Sequence, residues 1–172
     1  MEGSAPTVYL VDDDERVSTS LARLISGQGY AVSRHASAED FLRYHDLSVP
    51  GCAIVDLGLP GMDGFGIQES LLAQGACRPL IFLTGRGDIP SSVKAMKAGA
   101  VDFLTKPVEA SVLLAALANA IDRDSRERNA ESQRQSAAER LASLTPRERE
   151  VLRHVAAGRL NKQIAAELGT VV

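Results

Sequence analysis

Tyr9-Leu10-Val11-Asp12-Asp13 places two acidic side chains directly after a short apolar run. The same order recurs at Cys52-Ala53-Ile54-Val55-Asp56, where an apolar run again ends at an aspartate. Short apolar runs of this kind, separated by longer amphipathic segments, are typical of the buried strands of a parallel sheet. The two stretches therefore predict two parallel strands that each end in acidic residues.

Two further apolar runs extend the pattern. Leu80-Ile81-Phe82-Leu83 ends at Thr84, and Val101-Asp102-Phe103-Leu104 is followed after one residue by Lys106. With another strand near residues 30–34, the sequence predicts five β/α units in a doubly wound α/β fold. The carboxyl ends of parallel strands lie at one edge of the sheet, where ligands bind. We therefore expect the acids, the threonine and the lysine to converge on one pocket.

The predicted pocket has the composition of a metal-dependent phosphoryl-transfer site. Asp12, Asp13 and Asp56 cannot all be ionised at low cost without a counter-charge. Mg²⁺, or Mn²⁺ in its place, prefers such oxygen ligands. Asp56, at the tip of the predicted central strand, can both contact the metal and attack phosphorus to form an aspartyl phosphate. Lys106 supplies a second positive charge, and Thr84 supplies a hydroxyl for a phosphoryl oxygen.

The composition limits the class of protein. The chain has 172 residues, a net charge of −3 and no apolar segment long enough to cross a membrane, so we expect no membrane partner. Residues 1–4 lack the basic start and apolar core of a secretory signal, which favours a cytoplasmic protein. Cys52 and Cys77 have neither CxxC spacing nor a neighbouring histidine, and we expect both thiols to be reduced and buried.

After the fifth unit the composition changes abruptly. Residues 121–140 carry mixed charges, no glycine or proline and few large apolar side chains. We expect a solvated helix here that links two domains, with a coiled coil as the alternative. Thr145-Pro146-Arg147-Glu148 then predicts a helix start, with a threonine cap and a glutamate three residues later. A second short helix is predicted from Asn161, acting as its cap, to Gly169.

The pattern as a whole resembles the receiver domain of bacterial two-component response regulators, over residues 7–119. The resemblance implies a flavodoxin-like five-stranded sheet with strand order 2-1-3-4-5. It also implies that Asp12 and Asp13 are the acidic pair on the metal side and that Asp56 is the phosphoacceptor. The third protein ligand of the metal in this family is a backbone carbonyl two residues beyond the phosphoacceptor, which here is that of Gly58.

The same resemblance assigns roles on the neighbouring strands. Thr84 matches the family's switch hydroxyl and Phe103 its switch aromatic residue. Lys106 matches the family's lysine, and Lys106-Pro107 is implied to be a cis peptide bond. Arg86 lies two residues past Thr84, on the loop over the pocket, and we expect it to modulate the lifetime of the phosphorylated form.

Two sets of residues narrow the resemblance further. Residues 84–90, together with 96–100, are similar to the FixJ-type branch of the family. Residues 144–152, together with 161–165, resemble the start of a LuxR-type helix-turn-helix. The implied organisation is a receiver domain at 1–120, a helical linker at 121–143 and the first part of a DNA-binding domain at 144–172.

The LuxR-type resemblance leads to an expectation about the end of the chain. Such DNA-binding domains have four helices, and Val172 falls where the recognition helix should begin. We therefore expect the chain to be truncated, with Ile164 and Leu168 exposed. DNA is then an expected partner of the full-length protein, but without sequence specificity for this chain.

The implied function is that of a response regulator, not of an enzyme. A sensor histidine kinase would phosphorylate Asp56 in a Mg²⁺-dependent reaction and so switch a DNA-binding output that regulates transcription. The family further implies a phosphorylation-dependent homodimer. Phosphorylation would change the charge locally, and a surface with two conformations would respond to that change.

Two other classes of protein share the predicted fold. A Mg²⁺-dependent phosphohydrolase also uses an aspartate nucleophile, but such enzymes usually carry a second acid two residues beyond it, where Gly58 follows Asp56. A flavin-binding module needs a phosphate-binding loop after the first strand, where Asp12-Asp13-Asp14 would repel a phosphate. Stable mono-phosphorylation would indicate the regulator, and rapid multiple turnover would indicate the hydrolase.

Overall fold

A computed structural model describes residues 5–169 of the chain. The two expectations that concern the chain ends, the missing secretory signal at residues 1–4 and the missing recognition helix at Val172, fall outside the described residues. The chain divides into two compact units between Arg128 and Asn129. Across residues 5–169, no helix is both long and apolar enough to span a membrane.

The first unit is built on the predicted five-stranded parallel sheet. Its strand order is β2-β1-β3-β4-β5, as predicted. All four neighbouring strand pairs are parallel. The strands are β1 Thr7–Val11, β2 Ala31–His35, β3 Gly51–Asp56, β4 Leu80–Thr84 and β5 Asp102–Thr105.

Helices follow each strand. Those that begin in the first unit are α1 Glu15–Ser26, α2 Ala38–Tyr44, α3 Gly64–Ala73, α4 Ile89–Lys97 and α5 Ala110–Ser143. Helix α5 is continuous, so the segment predicted as a helical linker is helical up to Ser143. The remaining helices, α6 Pro146–Ala156 and α7 Asn161–Glu167, belong to the second unit.

Two apolar cores cover the two faces of the sheet. Tyr9 and Val11 point to the face packed by α2, α3 and α4. Val8 and Leu10 point to the face packed by α1 and the first turns of α5. Every residue of β3 is buried, because a central parallel strand is covered on both faces. This burial explains why the strand runs read as continuous apolar segments in the sequence.

The second unit begins with the predicted capping box. The Thr145 side chain accepts a hydrogen bond from the Glu148 backbone N–H, and the Glu148 carboxylate accepts one from the Thr145 N–H. The Thr145 hydroxyl and the Thr145 backbone N–H both donate to the Glu148 carboxylate and hold the pKa of Glu148 below its usual value. The start of α6 is therefore confirmed.

Three smaller expectations were wrong. Asn161 is the first residue of α7 and not its cap, because the Leu160 backbone takes the cap position and the Gln163 side chain accepts from the Leu160 N–H. Ile164 is buried and Leu168 is half-buried, whereas both were expected to be exposed, since α7 packs against α6. Cys77 is exposed, because it lies in the loop before β4 and not within a strand. Cys52 is buried as expected, and burial raises its pKa to about 12.

Candidate functional site

The parallel register brings the ends of four strands to the same edge of the sheet. Val11 pairs with Val55, so the residues that follow them, Asp12 and Asp56, are neighbours across β1 and β3. Asp56 in turn pairs with Leu83 on β4, and Thr84 pairs with Thr105 on β5. The convergence expected from the sequence is therefore present for the acids, the threonine and the lysine that follows β5.

Three carboxylates form a cluster at this edge. One oxygen each of Asp12, Asp13 and Asp56 lies within 4.8 Å of the others. Asp12 and Asp56 are buried, whereas Asp13 is exposed. Two acids are thus held inside the edge of the sheet and the third faces the solvent above them.

Lys106 is the basic partner of the two buried acids. Its Nζ lies 2.7 Å from Oδ2 of Asp12 and 3.3 Å from Oδ2 of Asp56. Burial lowers the pKa of Lys106, but the hydrogen bond to Asp12 and the charges of Asp12 and Asp56 outweigh burial and hold that pKa above its usual value. Lys106 is therefore protonated and cationic, and the Lys106-Pro107 bond is cis as expected.

Backbone groups orient the buried acids. Oδ1 of Asp12 accepts a hydrogen bond from the Asp14 N–H at 2.9 Å, and Oδ1 of Asp56 accepts one from the Gly58 N–H at 3.2 Å. Asp14 itself caps α1 by accepting from the backbone of Arg16 and Val17. Asp14 therefore caps α1, whereas Asp12 and Asp13 belong to the carboxylate cluster.

The loop after β3 passes unusually close to Asp56. A Cβ atom at Gly64 would lie 2.9 Å from the Asp56 carbonyl oxygen and 3.1 Å from the Phe82 ring. Only glycine fits at that distance, so α3 can start directly beside the acid. Gly61 in the same loop has a positive φ of 78°. The glycine-rich stretch therefore serves both close approach and an unusual backbone angle.

Thr84 and Phe103 lie on the neighbouring strands. The Thr84 hydroxyl is buried and donates to the Arg86 carbonyl at 3.0 Å, while it accepts from the Arg86 N–H at 3.1 Å. Phe103 is half-buried, and its ring centroid lies 6.5 Å from that of Phe82. Arg86 is exposed in the loop after β4. In this conformation the Thr84 hydroxyl is bonded to its own loop.

A group of side chains beside the site was not predicted. His35 contributes its carbonyl to the Asp12 N–H, at 3.1 Å. Its ring is held by Oδ2 of Asp40 at 2.8 Å and by Oγ of Ser33 at 3.0 Å. The ring is buried. The sequence signal was Ser33 and His35 two residues apart on one strand face, with Asp40 five residues further on.

The charge balance of the cluster fits a divalent cation. The cluster holds three carboxylates and one lysine, which leaves a formal surplus of two negative charges. All the acidic donors are oxygens, which are the ligands that Mg²⁺ prefers. An acidic pocket of this kind is typical of Mg²⁺ sites.

Comparison with protein families gives two matches. The family described as "Response regulator receiver domain" matches residues 8–118. The family described as "Bacterial regulatory proteins, luxR family" matches residues 142–170. The first match covers the sheet and the acidic cluster, and the second begins just before α6.

Curated relatives span most of the chain. The transcriptional regulatory protein FixJ of Azorhizobium caulinodans is 41% identical over 165 residues, which is 94% of this chain and 77% of the relative. The response regulator protein TodT of Pseudomonas putida is 40% identical over 168 residues, which is 98% of this chain and 74% of the relative. Both relatives are therefore similar to this chain in both units.

Solved structures agree with these relatives. The response regulator StyR is 39% identical with a TM-score of 0.88, and the match covers 98% of this chain and 85% of StyR. Full-length FixJ from B. japonicum is 37% identical with a TM-score of 0.66, and the match covers 98% of this chain and 83% of FixJ. The chain therefore belongs to the response regulators of two-component systems, as a transcription regulator in which a receiver domain is followed by a LuxR-type helix-turn-helix segment.

Proposed function

We propose that Asp56 is the phosphoacceptor of this response regulator and that a sensor histidine kinase supplies the phosphoryl group. The observation that carries the proposal is the position of Asp56, which ends the central strand with one oxygen 3.3 Å from Lys106 and the other held by the Gly58 N–H. The carboxylate is thus fixed and partly neutralised, as an oxygen nucleophile for phosphorus requires.

The acidic cluster would hold Mg²⁺, or Mn²⁺, through Asp12, Asp13 and Asp56 and the backbone carbonyl of Gly58. When bound, the cation supplies positive charge for the oxygens of the incoming phosphoryl group. Asp12 keeps Lys106 beside Asp56 through its 2.7 Å contact. Lys106 then stabilises the negative charge that the reaction brings to Asp56.

Thr84 and Phe103 would report the phosphorylated state. The Thr84 hydroxyl now bonds to the backbone of Arg86, and it would exchange that partner for a phosphoryl oxygen. Phe103, on the adjacent strand β5, is half-buried and would follow the change. Arg86 would modulate the lifetime of the phosphoryl group from the loop over the site.

The output side of the proposal follows the family organisation. We assign residues 1–120 to the receiver, 121–143 to the linker and 144–172 to the DNA-binding part, which works in transcription regulation and not as an enzyme. Phosphorylation would promote a homodimer of the receiver, and DNA would be the partner of the LuxR-type segment. Because the output must reach DNA, we place the protein in the cytoplasm.

The test is incubation with a small phosphodonor and Mg²⁺, followed by intact mass. Wild type should gain one acid-stable, base-labile phosphoryl group, and Asp56→Asn should gain none. Asp63→Asn is the matched control, because Asp63 caps the nearby α3 and asparagine caps equally well. Phosphorylation of Asp56→Asn would refute the assignment, and rapid release of phosphate over many turnovers would favour the hydrolase.

A further inference from the structure

The opposite edge of the receiver sheet carries a second buried charge that the phosphoacceptor site does not use. Asp124, in the fourth turn of α5, is 3% exposed. Its Oδ2 accepts a hydrogen bond from the Gly51 N–H at 2.8 Å, at the start of β3. The receiver family match ends at residue 118, so this contact lies beyond it.

Arg128 completes the arrangement one turn later. Its Nε donates to Oδ2 of Asp124 at 2.8 Å. The two remaining nitrogens donate to three carbonyls of the loop before β3, those of Leu47, Ser48 and Val49, at 2.7–3.2 Å. The flat guanidinium suits such multiple donation. One side chain of α5 therefore caps three consecutive backbone groups of the receiver.

One further contact holds this part of α5 at the same edge, and the backbone at Gly51 explains why the Asp124 partner is a glycine. Arg123 donates to the Gly99 carbonyl, in the turn before β5, at 3.0 Å. Gly51 has a φ of 147°, and a Cβ atom there would lie 1.8 Å from the Thr7 carbonyl oxygen. The backbone N–H that donates to Asp124 therefore belongs to a position that only glycine can occupy.

A neighbouring ion pair shows that helix spacing does not explain these contacts. Asp122 and Arg126 have the same i, i+4 spacing and the same 2.8 Å distance, but their side chains are 65% and 74% exposed. The Asp124 side chain is 4% exposed. Exposed i, i+4 pairs contribute little, whereas a buried carboxylate is tolerated only when its partners are fixed.

We propose that Asp124, Arg128 and Gly51 form a clamp that makes the first two turns of the predicted linker, residues 121–128, a fixed part of the receiver. The segment that can bend, or pack against a partner, then begins at Asn129. The clamp lies at the end of the sheet opposite Asp56. Because it fixes α5 up to Arg128, any movement that the receiver passes along α5 must start beyond that residue. The proposal does not depend on the identity of the phosphoacceptor.

The test is hydrogen–deuterium exchange of the whole chain, read by peptide. In wild type, protection should drop between residues 121–128 and 129–143. Asp124→Ala should speed exchange of 121–128 and of the loop at 46–51 about tenfold or more, which corresponds to a loss of about 1.4 kcal/mol in local opening. Asp122→Ala, the matched control, should leave both segments at wild-type rates, and β4 should stay protected in both variants.

A milder pair of variants covers the case in which Asp124→Ala does not fold. Arg128→Lys keeps the charge but loses the multiple donation to the loop carbonyls, so it should speed exchange of 121–128 while Arg126→Lys does not. Three results would refute the clamp. Arg128→Lys and Arg126→Lys could exchange at similar rates, or Asp124→Ala and Asp122→Ala could do so. The wild type could also show no change in protection near Arg128.

Discussion

The two edges of the receiver sheet each bury an aspartate beside a basic side chain, but their charge balance is opposite. At the carboxyl edge, three carboxylates lie close together, and two of them contact Lys106. At the amino edge, Asp124 pairs with Arg128, and its charge also acts on Arg78, whose pKa is lowered by burial. The first edge has surplus negative charge and gains from a further cation, whereas the buried acid of the second edge already has basic partners.

The difference also shows in what each acid contacts. Asp124 is bonded to a backbone N–H and to a guanidinium that itself binds three carbonyls. Asp13, in contrast, is exposed. A buried group whose partners are all internal serves stability, and an acidic cluster with surplus charge is available to a ligand. Deleting an acid should therefore have opposite consequences at the two edges.

The largest effect is expected at the amino edge. Asp124→Ala leaves the Arg128 guanidinium without a counter-charge. Loss of one partner of a buried pair costs about 3–5 kcal/mol, and we expect the low end of this range because the Arg128 side chain is 34% exposed. Urea unfolding of the receiver should show a loss of this order. Asp122→Ala should lose no more than about 0.5 kcal/mol. Equal losses in the two variants would remove the distinction between the buried and the exposed pair.

The next effect concerns the divalent cation. Mg²⁺ should raise the stability of wild type, by about 2.7 kcal/mol when its concentration is a hundred times the dissociation constant. Asp13→Ala should lose most of this gain, because one of the three clustered carboxylates is gone. Unfolding curves at increasing Mg²⁺ measure it, with Asp122→Ala as the control. An equal gain in Asp13→Ala would count against the proposed metal site.

Without a divalent cation, Asp13→Ala should have the opposite sign from Asp124→Ala. Removing the Asp13 carboxylate relieves its repulsion with Asp12 and Asp56, because one oxygen of each of the three acids lies within 4.8 Å of the others. Since Asp13 is exposed, the gain should be about 1 kcal/mol or less. Unfolding in the presence of a chelator measures it. A loss of stability in Asp13→Ala would show that the cluster is not strained by its own charge.

The sequence predicted the carboxyl edge far better than the amino edge, for a physical reason. Strand ends are marked by local patterns, so the positions of Asp12, Asp56 and Thr84 follow from apolar runs and from parallel pairing. The capping box at Thr145 is likewise local. These features could be placed without knowledge of distant contacts.

The clamp could not be placed in this way. Residues 122–128 read Asp-Arg-Asp-Ser-Arg-Glu-Arg and contain two pairs in which an aspartate lies four residues before an arginine. Whether Asp122 or Asp124 is buried depends on contacts 73 residues away at Gly51. The expectation that Ile164 is exposed was wrong for the same reason, since its burial comes from packing of α7 on α6. Tertiary contacts decided both cases, and no local pattern records them.

The smallest effect is expected from Arg86. Its backbone holds the Thr84 hydroxyl, and Arg86→Ala keeps that backbone, so the variant tests the side chain alone. An exposed cation near a phosphoryl group contributes about 0.2–1 kcal/mol, which corresponds to a change in rate of about 1.4-fold to fivefold. We expect this change mainly in the decay of the phosphorylated form, because shielding from water acts after transfer.

The measurement for Arg86 is the time course of phosphate loss after removal of the donor, compared with the rate of labelling. Arg128→Lys is the control, since it alters a cation at the other edge of the sheet and should leave both rates unchanged. Identical decay in Arg86→Ala and wild type would exclude the role proposed for this side chain. A change in decay for Arg128→Lys would show instead that the two edges are coupled, because no contact of Arg128 in the described residues 5–169 reaches the carboxylate cluster.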